Sequence, residues 1–216
     1  MVRPKWDRTI ALMQRINDDV DDDMFQGRPI IHRDTPILGG VYLGKSQREA
    51  IVVDDSKPML QMYQLAREKV WMGYRKINVG GVPLVVYSTV RKVMKFDDDR
   101  TDALIARFDA GKDTKISLGC FVKEGYGVCR HMALAAGYIL EKFKEEYGLT
   151  GETSVDRNSW LRWGHAWARH TTVDGDVIII DPAQARFGSL EDVTEDPGAW
   201  GYRREEDVIG LLPGSR

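Results

Sequence analysis

Residues 125–148 read GYGVCRHMALAAGYILEKFKEEYG, and this stretch has the clearest helical pattern of the chain. Its apolar residues recur at intervals of three or four, as at Leu140 and Phe143, and Gly148 stands where a helix would end. Alanines and a glycine in its middle allow other elements to approach closely. The pattern therefore predicts a central, buried helix that begins near Val128.

Cys129 lies just inside the predicted N-terminus of this helix, after Gly127 and Val128. Free backbone N–H groups and the positive end of the helix dipole stabilise a thiolate there and lower its pKa. The same N–H groups could hold an oxyanion. By its position alone, Cys129 is equally well interpreted as a reactive nucleophile or as a buried cysteine that behaves as a small hydrophobe.

After this helix the pattern changes to that of strands. Strands are predicted at residues 153–155, 165–172 and 177–181, with a hairpin turn at 174–175. Helices followed by strands are typical of an α+β fold with an antiparallel sheet. Side chains alternate along the strand that begins at His165, so Ala166 and Ala168 should face the small residues of the helix, with His165 and Trp167 on the opposite face.

Asp181 ends the last of these strands, where a buried carboxylate is costly without a partner. The hairpin would place residue 168 opposite about residue 181, and a bulge or a longer strand would bring His165 near Asp181. One ring nitrogen of His165 could then donate to Asp181 while the other faces Cys129. Taken alone, however, Asp181-Pro182 is better interpreted as a plain turn after a strand.

The pattern predicts further helices and strands upstream of Cys129, and it divides the chain into three regions. The helices predicted upstream of Cys129 are one over residues 1–20, one after Pro58, one from Pro83 to about Phe96, and one from a Thr101 cap to Phe108. Short strands are predicted near residues 41–43 and 51–53. We expect an N-terminal helical or irregular extension over residues 1–80, a catalytic core over 81–190 and a polar C-terminal tail over 191–216.

The composition argues against several classes of protein. With 216 residues, 43% of them hydrophobic, the chain can form a sizeable core, and a formal net charge of −2 gives no reason to predict binding to nucleic acid or to a membrane. The first thirty residues have helical spacing rather than the apolar run of a signal peptide, so we expect a cytoplasmic protein. Cys120 and Cys129 are too few for a disulfide framework and are expected to be reduced.

Three motifs occur in the order Gly127-Val128-Cys129, His165-Ala166-Trp167 and Asp181-Pro182. In this order and at this spacing they resemble the transglutaminase-like superfamily, within the broader papain-like fold, and the resemblance covers about residues 85–185. It implies an α+β fold in which the helix that carries the cysteine packs on an antiparallel sheet. It also implies that Cys129 is the nucleophile, His165 the general base and acid, and Asp181 the group that fixes the imidazole.

The resemblance implies acyl transfer through a thioester. We expect a cysteine-dependent hydrolase, a peptidase or amidase that acts on amide or isopeptide bonds of a protein or peptide substrate. A protein-glutamine acyltransferase, or transglutaminase, would use the same triad, and the two differ in whether water or an amine reaches the thioester. A non-catalytic protein-interaction module of the same fold is a third possibility, against which the intact triad argues.

No metal or cofactor is predicted. Zinc ligands could be offered by Cys120, Cys129, His131 and His165, but their spacing is not that of a structural zinc site. His131 is expected to be a surface or packing histidine. Asp156-Arg157-Asn158 is interpreted as a salt-bridged turn in preference to a wall of the cleft, and Tyr126 is considered as a side-chain oxyanion donor.

Overall fold

A computed structural model of the chain describes residues 10, 13, 23–43, 49–71, 77–108, 114–160, 163–195 and 200–209. Helices and sheets are both present in this part of the chain, which confirms the predicted α+β class. Of the helix predicted over residues 1–20, only Ile10 and Met13 are described, and both are helical and exposed. The rest of that prediction lies outside the described residues.

The described residues form α-helices and short and long β-strands. The helices are α1 Lys57–Val70, α2 Val82–Val93, α3 Asp98–Arg107, α4 Leu118–Glu124, α5 Cys129–Tyr147, α6 Leu190–Glu195 and α7 Glu205–Ile209, with a short 3₁₀ turn at Val79–Gly81. The strands are β1 Met24–Phe25, β2 Arg28–Pro29, β3 Val41–Leu43, β4 Ala50–Val52, β5 Lys95–Phe96, β6 Lys115–Ser117, β7 Tyr126–Gly127, β8 Glu152–Trp160, β9 Trp163–Thr171, β10 Val177–Asp181 and β11 Arg186–Ser189. No described helix is long and apolar enough to cross a bilayer.

The largest sheet is antiparallel and has the strand order β11-β10-β9-β8. The predicted turn at 174–175 connects β9 to β10, with Gly175 at a φ of 90°, and it pairs Ala168 with Ile180. Strand β8 pairs with β9 along its whole length, so Asp156-Arg157-Asn158 lies within a strand. The predicted turn there is wrong because β9 continues to Trp163 and gives these residues a partner strand.

Helix α5 packs on one face of this sheet, as predicted. Ala166 and Ala168 belong to the same buried cluster as the helix, whereas Trp167 belongs to a second cluster behind the sheet. The helix ends at Gly148, which has a φ of 68°. A Cβ at Gly137 would lie 2.4 Å from Cδ1 of the fully buried Ile37, so this glycine permits the chain segment around Ile37 to lie against the helix.

The helices upstream of Cys129 begin or end at other residues than predicted. Helix α3 begins at Asp98 because Asp97, and not Thr101, is its N-cap: the Asp97 carboxylate accepts from the Arg100 backbone N–H at 2.9 Å. Helix α2 ends at Val93, since Lys95–Phe96 pairs in parallel with Tyr126–Gly127 as the two-stranded sheet β5-β7.

The main hydrophobic cluster contains residues from both sides of residue 80. Ile37, Ile51 and Met59 lie in one buried cluster with Leu134 of α5 and Ile180 of β10. Strands β3, β4 and β6 form a separate sheet that mixes antiparallel and parallel pairing. The expected domain boundary at residue 80 stays a prediction, and the buried side chains of 31–70 are packed together with those of the central helix.

Candidate active site

Cys129 is the first residue of α5 and follows Gly127 of β7 and the N-cap Val128. The N-cap has an extended backbone, and its N–H donates to Nδ1 of His131 at 3.2 Å. Because Nδ1 accepts this bond, the ring proton of neutral His131 lies on Nε2. A Cβ at Gly127 would lie 2.8 Å from Cβ of His131, so only glycine fits between β7 and this first helical turn.

A buried ionic group anchors the two residues after Cys129. Oε1 of Glu49 accepts from Arg130 Nε at 2.8 Å and Nη2 at 2.6 Å, and His131 Nε2 lies 3.0 Å from the same oxygen. Burial alone would raise the pKa of Glu49, but the hydrogen bond from His131 and the charge of Arg130 lower it to about 2. His131 is fully buried, so the interpretation as a packing histidine is right and the surface alternative is wrong.

The structure brings the other two predicted residues into direct contact. Nε2 of His165 lies 2.5 Å from Oδ2 of Asp181, and both side chains are buried. The carboxylate also accepts from the hydroxyl of Tyr202 at 2.8 Å on Oδ2 and from the backbone N–H of Gln184 at 3.1 Å on Oδ1. Asp181 is thus a fully buried carboxylate with three donors, and it holds the imidazole in one orientation.

The sulfur of Cys129 completes the line of contacts. It is hydrogen-bonded with the imidazole of His165 and with the backbone N–H of Ala166. Since Nε2 is engaged by Asp181, Nδ1 is the ring nitrogen left to face the sulfur. Cys129, His165 and Asp181 therefore form one connected chain from thiol to carboxylate.

The charges and hydrogen bonds around Cys129 and His165 favour a thiolate on Cys129 beside an imidazolium on His165. Burial opposes the charged form of Cys129, but the hydrogen bond and the charge of His165 outweigh it and lower the pKa of the thiol. Burial likewise opposes the charge on His165, while hydrogen bonds to Asp181 and Cys129 raise its pKa to about 9. By contrast, burial and the charge of Asp54 raise the pKa of Cys120.

Trp200 and Tyr202, from the segment predicted to be a polar tail, also belong to the site. The Trp200 ring stacks on the His165 imidazole with centroids 4.9 Å apart, and Tyr202 is fully buried with its hydroxyl on Asp181. The sequence gives no periodic signal for either residue. The only indication is compositional, since two aromatic residues stand close together in an otherwise polar segment.

Two arginine–carboxylate pairs hold this C-terminal segment on the sheet. Arg204 donates to Asp156 of β8, with Nε on Oδ2 at 2.7 Å and Nη2 on Oδ1 at 2.5 Å. Asp207 of α7 accepts from both terminal nitrogens of Arg169 of β9, at 2.8 and 2.6 Å. Such two-point contacts fix orientation as well as distance, so they determine where Trp200 and Tyr202 lie.

A small cavity of about 20 Å³ opens beside the sulfur. It is lined by Tyr42, Cys129, Arg130, Arg157, Gly164, His165 and Ala166. Tyr42 is hydrogen-bonded with Arg157, and burial raises its pKa, so its hydroxyl keeps its proton at neutral pH. Tyr126 does not line this cavity; its ring lies under Arg100, with the guanidinium carbon 5.9 Å from the ring centroid.

The remaining predicted candidates are not brought to the sulfur. Cys120 lies in α4 and does not line the cavity, and the described residues contain no group of three or more metal-ligating side chains. His170 contacts Thr153, with Nδ1 3.3 Å from the hydroxyl oxygen, at the far end of β9. A hydrogen-bonded thiol, imidazole and carboxylate at a cavity can carry out nucleophilic acyl transfer. Comparison with protein-family models, with curated proteins and with solved structures found no match to this chain.

Replacing Tyr202 by phenylalanine should slow the alkylation of Cys129 by iodoacetamide at pH 6 about tenfold, because Asp181 loses a hydrogen bond that fixes its orientation, and the imidazolium is then held less well beside the sulfur. The pH at which Cys129 gains reactivity should rise in parallel, which a merely structural role would not cause. Tyr63→Phe is the control, since it removes a similar bond to Glu146, 2.9 Å long, at the other end of α5. Equal rates in the wild type and Tyr202→Phe would contradict a positioning role.

Proposed function

We propose that this chain is a cysteine-dependent hydrolase of amide or isopeptide bonds, with a papain-like fold of the transglutaminase-like type and a protein or peptide substrate. One observation carries the proposal: Cys129, His165 and Asp181 form a connected hydrogen-bonded chain whose sulfur lines an open cavity. The resemblance of the three motifs and the helix that carries the cysteine on an antiparallel sheet support it.

In the proposed reaction the Cys129 thiolate attacks the carbonyl carbon and a carbon–sulfur bond forms. The imidazolium of His165 then gives its Nδ1 proton to the departing amine, the carbon–nitrogen bond breaks and a thioester remains. Water attacks the thioester, His165 takes the proton, and release of the acid restores the thiolate–imidazolium pair. Asp181 holds the ring in place throughout.

Two donors could stabilise the oxyanion of the tetrahedral intermediates. The backbone N–H of Cys129 belongs to the first turn of α5, where N–H groups have no partner within the helix. Tyr42 is the side-chain donor we assign in place of Tyr126, because it lines the cavity and retains its proton. Arg157 donates to the Tyr42 oxygen, which leaves the hydroxyl proton free to point into the cavity.

The size of the cavity favours hydrolysis over transfer to an amine. About 20 Å³ is room for one water molecule beside the sulfur and not for a lysine side chain. The reacting carbonyl would reach the sulfur while the rest of a substrate lies outside. Water therefore has better access than an amine to the thioester.

The products distinguish hydrolysis from transfer. After incubation of the protein with unfolded casein and a fluorescent primary amine, we expect new peptide termini or released ammonia and little fluorescence on the casein. Mass spectrometry after an acid quench should find the acyl group on Cys129. Fluorescent casein would indicate a transglutaminase, and an absence of both products and adduct would favour the binding module. Cys129→Ser, which keeps the size of the side chain, is the control for both products.

A further inference from the structure

Arg157 of β8 stands at the mouth of the cavity and is exposed. Its guanidinium is hydrogen-bonded with the hydroxyl of Tyr42 and lies over the bare backbone of Gly164. A Cβ at Gly164 would be 3.0 Å from Nη2 and 3.4 Å from Nε of Arg157. Glycine at this position thus makes room for the guanidinium at the edge of the site.

The charge of Arg157 is not neutralised in the way that its neighbours' charges are. Arg130 pairs with Glu49, Arg204 with Asp156, and Arg169 with Asp207. No carboxylate of the described residues forms an ion pair with Arg157. A guanidinium presents its donors in a planar fork that fits a carboxylate, so an exposed arginine without an acidic partner is suited to bind one.

Arg157 also lines a larger groove of about 430 Å³. Its other charged walls are the basic side chains of Arg33, Arg203 and Arg204 and the acidic side chains of Asp156, Glu205 and Glu206. A substrate that lies in this groove and reaches the sulfur would contact the guanidinium, which borders both. Any group recognised by Arg157 would therefore lie close to the bond that is attacked.

We propose that Arg157 binds a carboxylate of the substrate and so directs the enzyme to amide bonds beside an acidic group. This inference rests on the proposed function for the identity of the attacked bond. The carboxylate is either an acidic side chain or the free end of a chain, since both present the same two oxygens. Hydrogen bonds from the fork to the carboxylate would hold the neighbouring carbonyl over Cys129.

Iodoacetate and iodoacetamide test the proposal without a known substrate. Both place a CH₂ group on the thiolate and release iodide, but only iodoacetate carries a carboxylate. The ratio of the iodoacetate rate to the iodoacetamide rate should be about tenfold higher at Cys129 than at Cys120, and Arg157→Gln should remove most of that difference. Because the measure is a ratio, any general effect of the substitution on the thiol divides out.

Two further variants test whether the elevated ratio depends on the positive charge, on the shape of the guanidinium or on its position beside Cys129. Arg157→Lys should keep part of the elevated ratio because the positive charge remains. Arg67→Gln should leave the ratio unchanged, since Arg67 pairs with Glu146 seventeen residues along α5 from Cys129, about 25 Å at the rise of a helix. An unchanged ratio at Cys129 in Arg157→Gln would overturn the proposal.

Isomeric blocked amino acids identify the source of the carboxylate. N-acetylglutamic acid α-amide carries a side-chain carboxylate and N-acetylglutamine a terminal one, while N-acetylglutamine amide is neutral. Each acid should slow the alkylation of Cys129 by iodoacetamide more than the neutral compound does in the wild type, but not in Arg157→Gln, and the more protective acid identifies the source. Equal protection by all three in the wild type would contradict the site. If Cys129 reacts no faster than Cys120 with iodoacetamide, it is the proposed function that fails, whereas the ratio still reports on Arg157.

Discussion

At pH 6, iodoacetamide should alkylate Cys129 about a hundredfold faster than Cys120. A thiol with the ordinary pKa of 9.0 is ionised in only about one molecule in a thousand at this pH, and the pKa of Cys120 is raised further by burial. The pKa of Cys129 is lowered by His165 despite burial, so its thiolate is far more abundant. A thiolate of lower pKa is less nucleophilic. The increase in alkylation rate is therefore smaller than the increase in thiolate abundance, and we expect it to be about a hundredfold.

The pH dependence of the two rates should differ in form. Between pH 6 and 8 the rate at Cys129 should rise less steeply than that at Cys120, because His165 lowers the pKa of the Cys129 thiol and so raises the share of thiolate already present at pH 6. Over the same range Cys120 should gain about tenfold for each pH unit. Both thiols are partly buried, so Cys120 is an internal control for access, and mass spectrometry of the two peptides gives both rates from one sample.

His165→Ala should slow the reaction of Cys129 at pH 6 about a hundredfold, because the thiol loses both the hydrogen bond and the charge that lower its pKa. Its rate should then rise with pH in the same way as that of Cys120. His170→Ala is a matched control, since it removes a buried histidine of the same strand whose partner is Thr153. A wild-type Cys129 that reacts as slowly as Cys120 would leave only the fold and the non-catalytic module.

The contacts within the triad could be predicted from the sequence because they depend on short-range regularities. The periodicity of residues 125–148 predicts the helix that opens at Cys129, and the turn at 174–175 fixes the pairing of β9 with β10. His165 and Asp181 are sixteen residues apart across that hairpin. Once the turn is known, the period of the strands leaves little freedom in where these two side chains lie.

The residues that surround the triad and hold it in place could not be predicted, because the residues that they contact are distant in the sequence. The position of Tyr202 on Asp181 depends on pairs such as Arg204 with Asp156, forty-eight residues earlier, and no local pattern encodes such a pair. The sequence pattern predicts a turn at Arg157 because the short apolar run at 153–155 understates the length of β8. Tyr42 lies on a three-residue strand, and its approach to Cys129 depends on the packing of described residues between 31 and 70 against the central helix.

Glu49→Gln should lower the free energy of unfolding by about 3 kcal/mol at pH 7. The Glu49 side chain is almost completely buried, and its Oε1 accepts both Arg130 bonds and lies against His131. Glutamine keeps the size of the side chain but removes the negative charge, so Arg130 becomes a buried cation without a counterion. A pKa lowered from 4.5 to about 2 corresponds to a stabilisation of the same size.

The sign of the pH dependence follows from that lowered pKa. Above pH 4.5, Glu49 is ionised in both the folded and the unfolded chain, and the stabilisation is fully present. As the pH falls from 4.5 towards 2, the unfolded chain takes up a proton before the folded one does, so the wild type loses this stabilisation. Glu49→Gln has no such proton to bind, and the difference between the two proteins should shrink over this range.

Urea unfolding of both proteins at pH 7, 5 and 4 measures the difference and its decline. Glu152→Gln is the matched control, because Glu152 pairs with Lys144 at 3.1 Å while 85% of its side chain is exposed, and screened surface pairs contribute less than about 1 kcal/mol. Arg130 and His131 directly follow Cys129, so loosening their anchor should also slow the alkylation of Cys129 at pH 6. A loss in Glu49→Gln no larger than in the control would mean that the first turn of α5 does not depend on this buried charge.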